Sequence, residues 1–476
     1  MSKNQYITTT LPYVNSDPHI GFAMEIVRAD AVARFKKLQG YDVFFNTGTD
    51  EHGVKIFENA QKEGVDTQEY VDEYAGKFKD LKEVLGLSSD INFIRTTDER
   101  HIKTAQEFWK RCNDNGHIYK KSYHGKYCSG CELTKTDSEL VDGKCEIHPT
   151  KEIELIDEEN YFFKFSEFED RLKELYRNNP DLVIPSFRFN EIKSFVDRGL
   201  EDFSISRLKE KMPWGIEVPG DNNHVMYVWF DALVNYISTL GWPEGEDFEK
   251  FWVNGNPIQY AGKDNLRQQS AMWQAMLMSV DIPTTKNIII NGFITSDGHK
   301  MSKSSGNVVN PSEIVDEFGT EAFRYFVLRE LSPFEDSDFS YEGFKESYNA
   351  HLANGIGNLT NRILKMSETH ISEGVDIVDN DLPEEYIEAF NEFNLQKVCN
   401  LIWKKIGDMD KYIQDTEPFK LVKEDMTAAK IIIESLVQDI NDVAIMLKPI
   451  LPETAQKILT SVKENKKPEV GLFDRK

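Results

Sequence analysis

Hydrophobic and polar positions alternate in three regimes along the chain. Near the start, the β-branched run Tyr6 to Thr10 predicts a strand, and Leu11 to Pro18 predicts a loop. From His19 onward, Phe22, Ile26, Ala29 and Ala33 recur at helical spacing up to Gly40, and Tyr41 to Phe45 returns as strand. A strand whose carboxyl end feeds a helix N-terminus leaves unpaired N–H groups and a helix dipole facing outward, which makes an anion site. Helical spacing continues to about residue 117, and Tyr161 to Phe165 alternates like a strand. The apolar run Ile288 to Ile290 predicts a buried strand, and Asn310-Pro311-Ser312-Glu313 carries an N-cap, a first-turn proline and a first-turn acid, so a loop joins strand to helix between them. From the N-cap Ser340 the chain reads as helix. Phe390, Phe393, Val398 and Leu401, then Ile431, Leu436, Ile440 and Ile445, mark faces of an antiparallel bundle.

At 476 residues the chain exceeds what one core fills, so two large domains with smaller insertions are expected. The N-terminus shows no basic run followed by an apolar stretch, and no segment is long enough to span a bilayer, which predicts a cytoplasmic protein without a membrane partner. A formal net charge of -25 disfavours indiscriminate nucleic-acid binding, so any RNA must be met by a local basic surface or by shape and bases.

Four stretches carry candidate chemistry. Lys300 and Lys303 stand three apart on a serine- and glycine-rich loop, a cationic clamp suited to a polyphosphate, although a solvated serine-lysine loop has the same composition. His19 at the helix start can donate to a phosphate oxygen, and Gly21 lets a ligand approach the backbone; a histidine there is also a common surface residue. Asp50, after the second strand, can hold an ammonium group or simply form a turn. Cys128 and Cys131, then thirteen residues, then Cys145 and His148 form two chelating pairs that close a tetrahedral site around one structural Zn2+. Cys112 and Cys399 read as ordinary buried thiols.

Lys300-Met301-Ser302-Lys303-Ser304 together with Pro18-His19-Ile20-Gly21 resembles the two signatures of class I aminoacyl-tRNA synthetases, with Phe22 where the usual form has a second histidine. With Val228-Trp229-Phe230-Asp231-Ala232-Leu233, Gly262-Lys263-Asp264 and the cysteine-histidine knuckle, the resemblance narrows to the methionyl-tRNA synthetases. The insertion at roughly 117–212 is too short for the editing domain of the isoleucyl, valyl and leucyl enzymes. A degenerate paralogue that binds without turnover, or a cysteinyl enzyme with zinc in its amino-acid pocket, are the rival readings.

The resemblance implies an α/β fold: a Rossmann-type parallel-sheet catalytic domain in two halves (1–116 and 213–295), a zinc-knuckle insertion (117–212), a loop and stem-contact region (296–339) and an α-helical anticodon-binding domain (340–476). It implies L-methionine, ATP with Mg2+ and tRNA(Met) as partners. His19, Lys300 and Lys303 would be catalytic, with Pro18, His19, Gly21, Gly262, Asp264 and Lys303 around ATP. Leu11, Tyr13, Asp50, Trp229, Ala232, Tyr236, Gln269 and Trp273 would surround methionine, Gln269 standing where many relatives have a histidine. Asn358, Arg362, Pro418 and Phe419 would meet the anticodon. A chain ending at Lys476 lacks the C-terminal domain through which some relatives dimerise, so a monomer is expected.

Overall fold

The computed structural model describes residues 3–128, 133–135, 140–146, 149, 151–301 and 307–476. β1 (Asn4–Thr8) leads into α1 (Ile20–Leu38), and β2 (Asp42–Thr49) runs four residues beyond the expected end of the return strand, so that Asp50 follows it directly. α2 (Val54–Glu63) and α3 (Thr67–Val84) come next, then a strand that the helical spacing hides, β3 (Asn92–Arg95), and α4 (Glu99–Asp114). β4 (Ile118–Cys128) and β5 (Ile153–Phe163) pair antiparallel along their whole length, from Ile118 opposite Phe163 to Cys128 opposite Ile153. This arm begins at 153, eight residues before the alternation at Tyr161 marks it.

β6 (Val183–Ile184) lies within the stretch expected as insertion, yet it forms the edge of the central sheet. After α5 (Val228–Leu233), β7 (Asn256–Gly262) and β8 (Asn287–Asn291) complete that sheet in the order β3-β2-β1-β7-β8-β6, with every pairing parallel. The fold is α/β with a parallel central sheet. β9 (Ile294–Ser296), β10 (His299–Lys300) and β11 (Ser337–Phe339) make a small side sheet, and α6 (Pro311–Phe318) starts where expected, Asn310 Oδ1 accepting from Ser312 N at 2.9 Å.

From Tyr341 the described chain is helical in all its regular elements, the longest being α7 (Asn358–His370), α8 (Leu395–Thr416), α9 (Met426–Leu447) and α10 (Pro452–Glu464). Leu436, Ile440 and Val398 are buried between them, but Ile431 is 64% exposed and does not belong to the bundle face assigned to it. Its position falls between the buried Ala429 and Ile433, off the inward stripe of α9.

α1 is the hub. It is buried almost all round, as only a helix with structure on every side can be. Three ionisable residues go inside with it, each paired as burial requires. Glu25 accepts from Thr10; Arg28 donates to the carbonyls of Val327, Leu331, Ser332 and Pro333; Asp30 pairs with Arg324. Phe35, near its far end, stacks flat on Phe390 of the helical region with ring centres 3.9 Å apart. Among the described residues no helix is long and apolar enough to cross a membrane.

Candidate active site

β2 and β7 flank β1 on opposite sides, so the strand order reverses at β1, and a parallel sheet opens a crevice at the carboxyl ends of such strands. A cleft of about 1310 Å3 lies there. Of the residues expected around ATP, His19, Gly21, Gly262 and Asp264 line it, and Pro18 does not. Of those expected around the amino acid, Leu11, Tyr13, Asp50, Trp229, Ala232, Tyr236 and Gln269 line it. Trp273 does not. It is fully buried one layer behind, its ring 5.8 Å from that of Tyr236. Lys303 lies outside the described residues, as does the side chain of Lys300, whose backbone is in β10; Met301 and Val308, on either side of that loop, line the cleft.

At the phosphate end His19 is the N-cap of α1, and its Nδ1 accepts from Gly21 N at 3.1 Å. An imidazole that accepts at Nδ1 carries its proton on Nε2. The surrounding protein lowers its pKa by desolvation, which keeps the ring neutral. A Cβ on residue 21 would come within 2.9 Å of the His19 ring, so a side chain there would displace the ring from this cap. Phe22 turns edge-on to Phe78 at 5.4 Å, forming an apolar wall.

Glu25 also lines the cleft and is absent from the residues singled out above. Its Oε1 accepts from Thr10 N at 2.9 Å and Thr10 Oγ1 at 2.6 Å. Burial pushes its pKa up to about 7, with the charge of Asp264 adding to the shift. The only signal in the sequence is an acid set among the apolar residues Phe22, Ala23, Met24, Ile26 and Val27.

At the other end, Asp50 is tied to the loop after β1: Asp50 N donates to Pro12 O at 2.9 Å and Val14 N donates to Asp50 O at 3.2 Å. Gly53 follows at φ +120, where a Cβ would sit 1.9 Å from the Tyr13 hydroxyl, so glycine admits Tyr13 to the cleft wall. Gln269 Nε2 donates to the Tyr236 hydroxyl at 2.7 Å, and Gln269 Oε1 accepts from Gln259 Nε2 at 3.2 Å. Thr285 Oγ1 donates to Gln259 Oε1 at 2.6 Å, fixing both amides from outside the cleft. The indole N–H of Trp229 is buried with no partner among the described residues. The wall is thus apolar and aromatic with a few oriented polar groups, which suits a small, partly apolar ligand.

In the helical region, Arg362 and Phe419 line a second, shallower depression of about 520 Å3 together with Lys365 and Lys467. Phe419 is 47% exposed, Pro418 is buried beside it, and Arg362 is paired with Asp410. Asn358 is exposed one turn before Arg362 and does not line the depression. Of the four knuckle residues, Cys128 and Cys145 are buried, at 0% and 1% exposure, while Cys131 and His148 lie outside the described residues. Among the described residues no group of three or more His, Cys, Asp or Glu side chains is arranged to hold a metal ion. Cys145 and Glu146 line the same cleft as Asp50, so the insertion faces the site. Cys112 and Cys399 are buried, as expected of inert thiols.

A parallel sheet with a cleft at its reversal point and a histidine-capped helix at one end of that cleft point to a class I tRNA synthetase, and a family model for class I tRNA synthetases (M) matches residues 5–153 and 130–364. Methionine–tRNA ligase of Thermotoga maritima is 39% identical over 481 residues, covering 97% of this chain and 76% of that protein. The enzyme of Clostridium acetobutylicum is 40% identical over 478 residues, covering 97% and 73%. Mycobacterium tuberculosis methionyl-tRNA synthetase in complex with methionyl-adenylate superposes with a TM-score of 0.88 at 36% identity, covering 96% of this chain and 93% of that one. The chain belongs to the methionine–tRNA ligase family.

Proposed function

We infer that the chain activates methionine with ATP to methionyl-adenylate and transfers it to tRNA(Met). The observation that carries the assignment of roles is the polarity of the cleft: a neutral N–H donor at a helix start at one end, a buried carboxylate within an aromatic wall at the other. In this reading the Asp50 carboxylate takes the methionine ammonium group, and Leu11, Tyr13, Trp229, Ala232 and Tyr236 enclose the thioether, whose polarizable sulfur favours aromatic edges. Trp273 backs Tyr236 and does not touch the ligand. Gly262 and Asp264 hold the nucleoside with Glu25. The methionine carboxylate then attacks the α-phosphorus while His19 Nε2–H, Lys300 and Lys303 stabilise the charge passing to pyrophosphate, the phosphates' charge being one that Mg2+ bound with ATP would screen. Catalysis is mostly positioning and electrostatics.

Zn2+ belongs to the same proposal. Two buried thiols on either side of a short polar stretch fit the soft-donor chemistry of a closed zinc site, with Cys131 and His148 completing the set. Bound zinc would clamp the insertion where Cys145 faces the cleft; metal analysis should find one Zn2+ per chain. Arg362 and Phe419 would receive anticodon bases, with Asn358 above them and Pro418 fixing the turn. The domain division given above, with Val183–Ile184 joining the catalytic sheet, a monomeric state and a cytoplasmic location complete the reading. The test is exchange of labelled pyrophosphate into ATP with each amino acid in turn: methionine alone should support it, and exchange driven by cysteine or by none of them would refute the assignment.

A further inference from the structure

Below the amino-acid end of the cleft lies a group of buried ionisable residues that none of the roles above uses. Asp231, at the centre of α5, is 0% exposed. Its Oδ2 lies 2.7 Å from His52 Nδ1 and its Oδ1 lies 2.8 Å from His101 Nε2. Burial opposes ionisation of Asp231, but the attraction of His52 and the hydrogen bonds of both rings outweigh it and hold the pKa below the usual carboxylate range. An ionised carboxylate only accepts, so the ring nitrogen facing it from each side is an N–H donor. The far side of His101 is closed as well, Nδ1 meeting Ser238 Oγ at 2.9 Å.

Three segments meet at this carboxylate: the loop after β2 through His52, α4 through His101, and α5 itself. His52 is two residues beyond Asp50, while Asp231 is two residues beyond Trp229 and immediately before Ala232. Other contacts of the loop lead elsewhere. Glu51 is held by Arg95 of β3 at 2.7 and 2.8 Å, and Trp214 Nε1 donates to Glu51 O at 2.6 Å. Arg95 fixes the loop against the edge of the central sheet and Trp214 against the segment before Glu217–Val218, and neither contact is with α5. The His52–Asp231 hydrogen bond therefore sets the spacing between a carboxylate on the loop and an apolar wall on the helix.

We propose that His52, Asp231 and His101 are positioning residues that fix the distance between Asp50 and the Trp229–Ala232 wall, and so determine affinity for the amino acid independently of ATP. A ligand gripped at its ammonium group and its side chain is sensitive to that distance, since misplacement by about 1 Å can cost two orders of magnitude in reactivity. The inference rests on the reading that Asp50, Trp229 and Ala232 form the amino-acid pocket.

The test is steady-state pyrophosphate exchange on full-length His52→Leu, His52→Asn and Asp231→Asn, with melting curves to give the folded fraction. Asparagine at 52 keeps an N–H near the Nδ1 position, leucine removes it, and Asp231→Asn keeps the shape while replacing one acceptor by a donor. His52→Leu and Asp231→Asn should raise the methionine KM at least tenfold and leave the ATP KM within twofold, and His52→Asn should stay within threefold of the unmutated chain. Equal loss in His52→Leu and His52→Asn, or parallel rises in both KM values, would overturn the proposal, because either describes a merely structural role. If His52→Leu does not fold, the isosteric Asp231→Asn decides on the same criteria. An unmutated chain with no methionine-dependent exchange would overturn the pocket reading and this inference together; exchange with an unchanged methionine KM in the folded variants overturns the inference alone.

Discussion

Asp30 Oδ2 and Arg324 Nη2 meet at 2.9 Å with both side chains at 0% exposure. Asp30 sits on α1, ten residues after the helix begins in the cleft, and also accepts from Ser88 N and Arg34 Nε. Arg324 donates onward to Ile450 O at 3.0 Å and Pro449 O at 3.2 Å, in the turn before α10. One ion pair therefore joins the helix that caps the cleft to the helical region.

Breaking this pair should destabilise the chain strongly. Arg324→Met leaves a buried carboxylate short of its main counter-charge and takes a donor from the carbonyls of Leu85, Gly86, Pro449 and Ile450, a loss of about 3–5 kcal/mol. Urea unfolding followed by fluorescence should show the midpoint falling accordingly. An unchanged midpoint would mean that Arg34 and Ser88 alone satisfy Asp30.

Glu25 gives a pH dependence with a definite sign. Its pKa rises from 4.5 in the free side chain to about 7 in the fold. Below 4.5 both states hold the proton; between 4.5 and 7 the unfolded chain ionises while the folded chain does not, so stability falls as pH rises and the full penalty is present above 7. Glu25→Gln keeps an acceptor for Thr10 and should remove the penalty, stabilising the chain by on the order of 3 kcal/mol at pH 8 and little at pH 4.5. Unfolding series at the two pH values check this, and an equal effect at both would contradict it. Asp30, whose pKa is lowered by Arg324 and Arg34 despite burial, has the opposite sign and should cost stability as acid protonates it.

Recognition of tRNA should separate from activation. Stacking of a base on an aromatic ring contributes about 1–3 kcal/mol, so Phe419→Ala should lower tRNA charging about tenfold or more and leave pyrophosphate exchange unchanged. Phe419 is 47% exposed, so its removal costs little stability. A parallel loss in both assays would mean the helical region acts by supporting the catalytic fold.

What could be read from the chain follows from how local each signal is. β1, α1 and β2 announce themselves because a β-branched run, a helical repeat and a second apolar run follow one another, and the cleft residues His19 and Asp50 stand at their ends. β3 is hidden because Asn92–Arg95 has polar ends and lies between two helices, its strand character coming only from pairing with β2. β6 is two residues long and is a strand only by its pairing with β8. Tyr236 and Trp273 read alike as aromatic walls, and only tertiary layering puts one at the cleft and the other behind it. Glu25 and Asp231 are invisible for a related reason: a carboxylate in an apolar helix reveals nothing of its partners, which for Asp231 are 130 and 179 positions away.

The most direct test of the whole reading is charging itself. Purified chain would be given ATP, Mg2+, labelled methionine and tRNA(Met), beside tRNA(Met) with an altered anticodon and beside labelled cysteine and isoleucine. The expected result is methionine esterified to the native tRNA, strongly reduced with the altered anticodon and undetectable with the other amino acids. Formation of adenylate without transfer, or charging that ignores the anticodon, would contradict it.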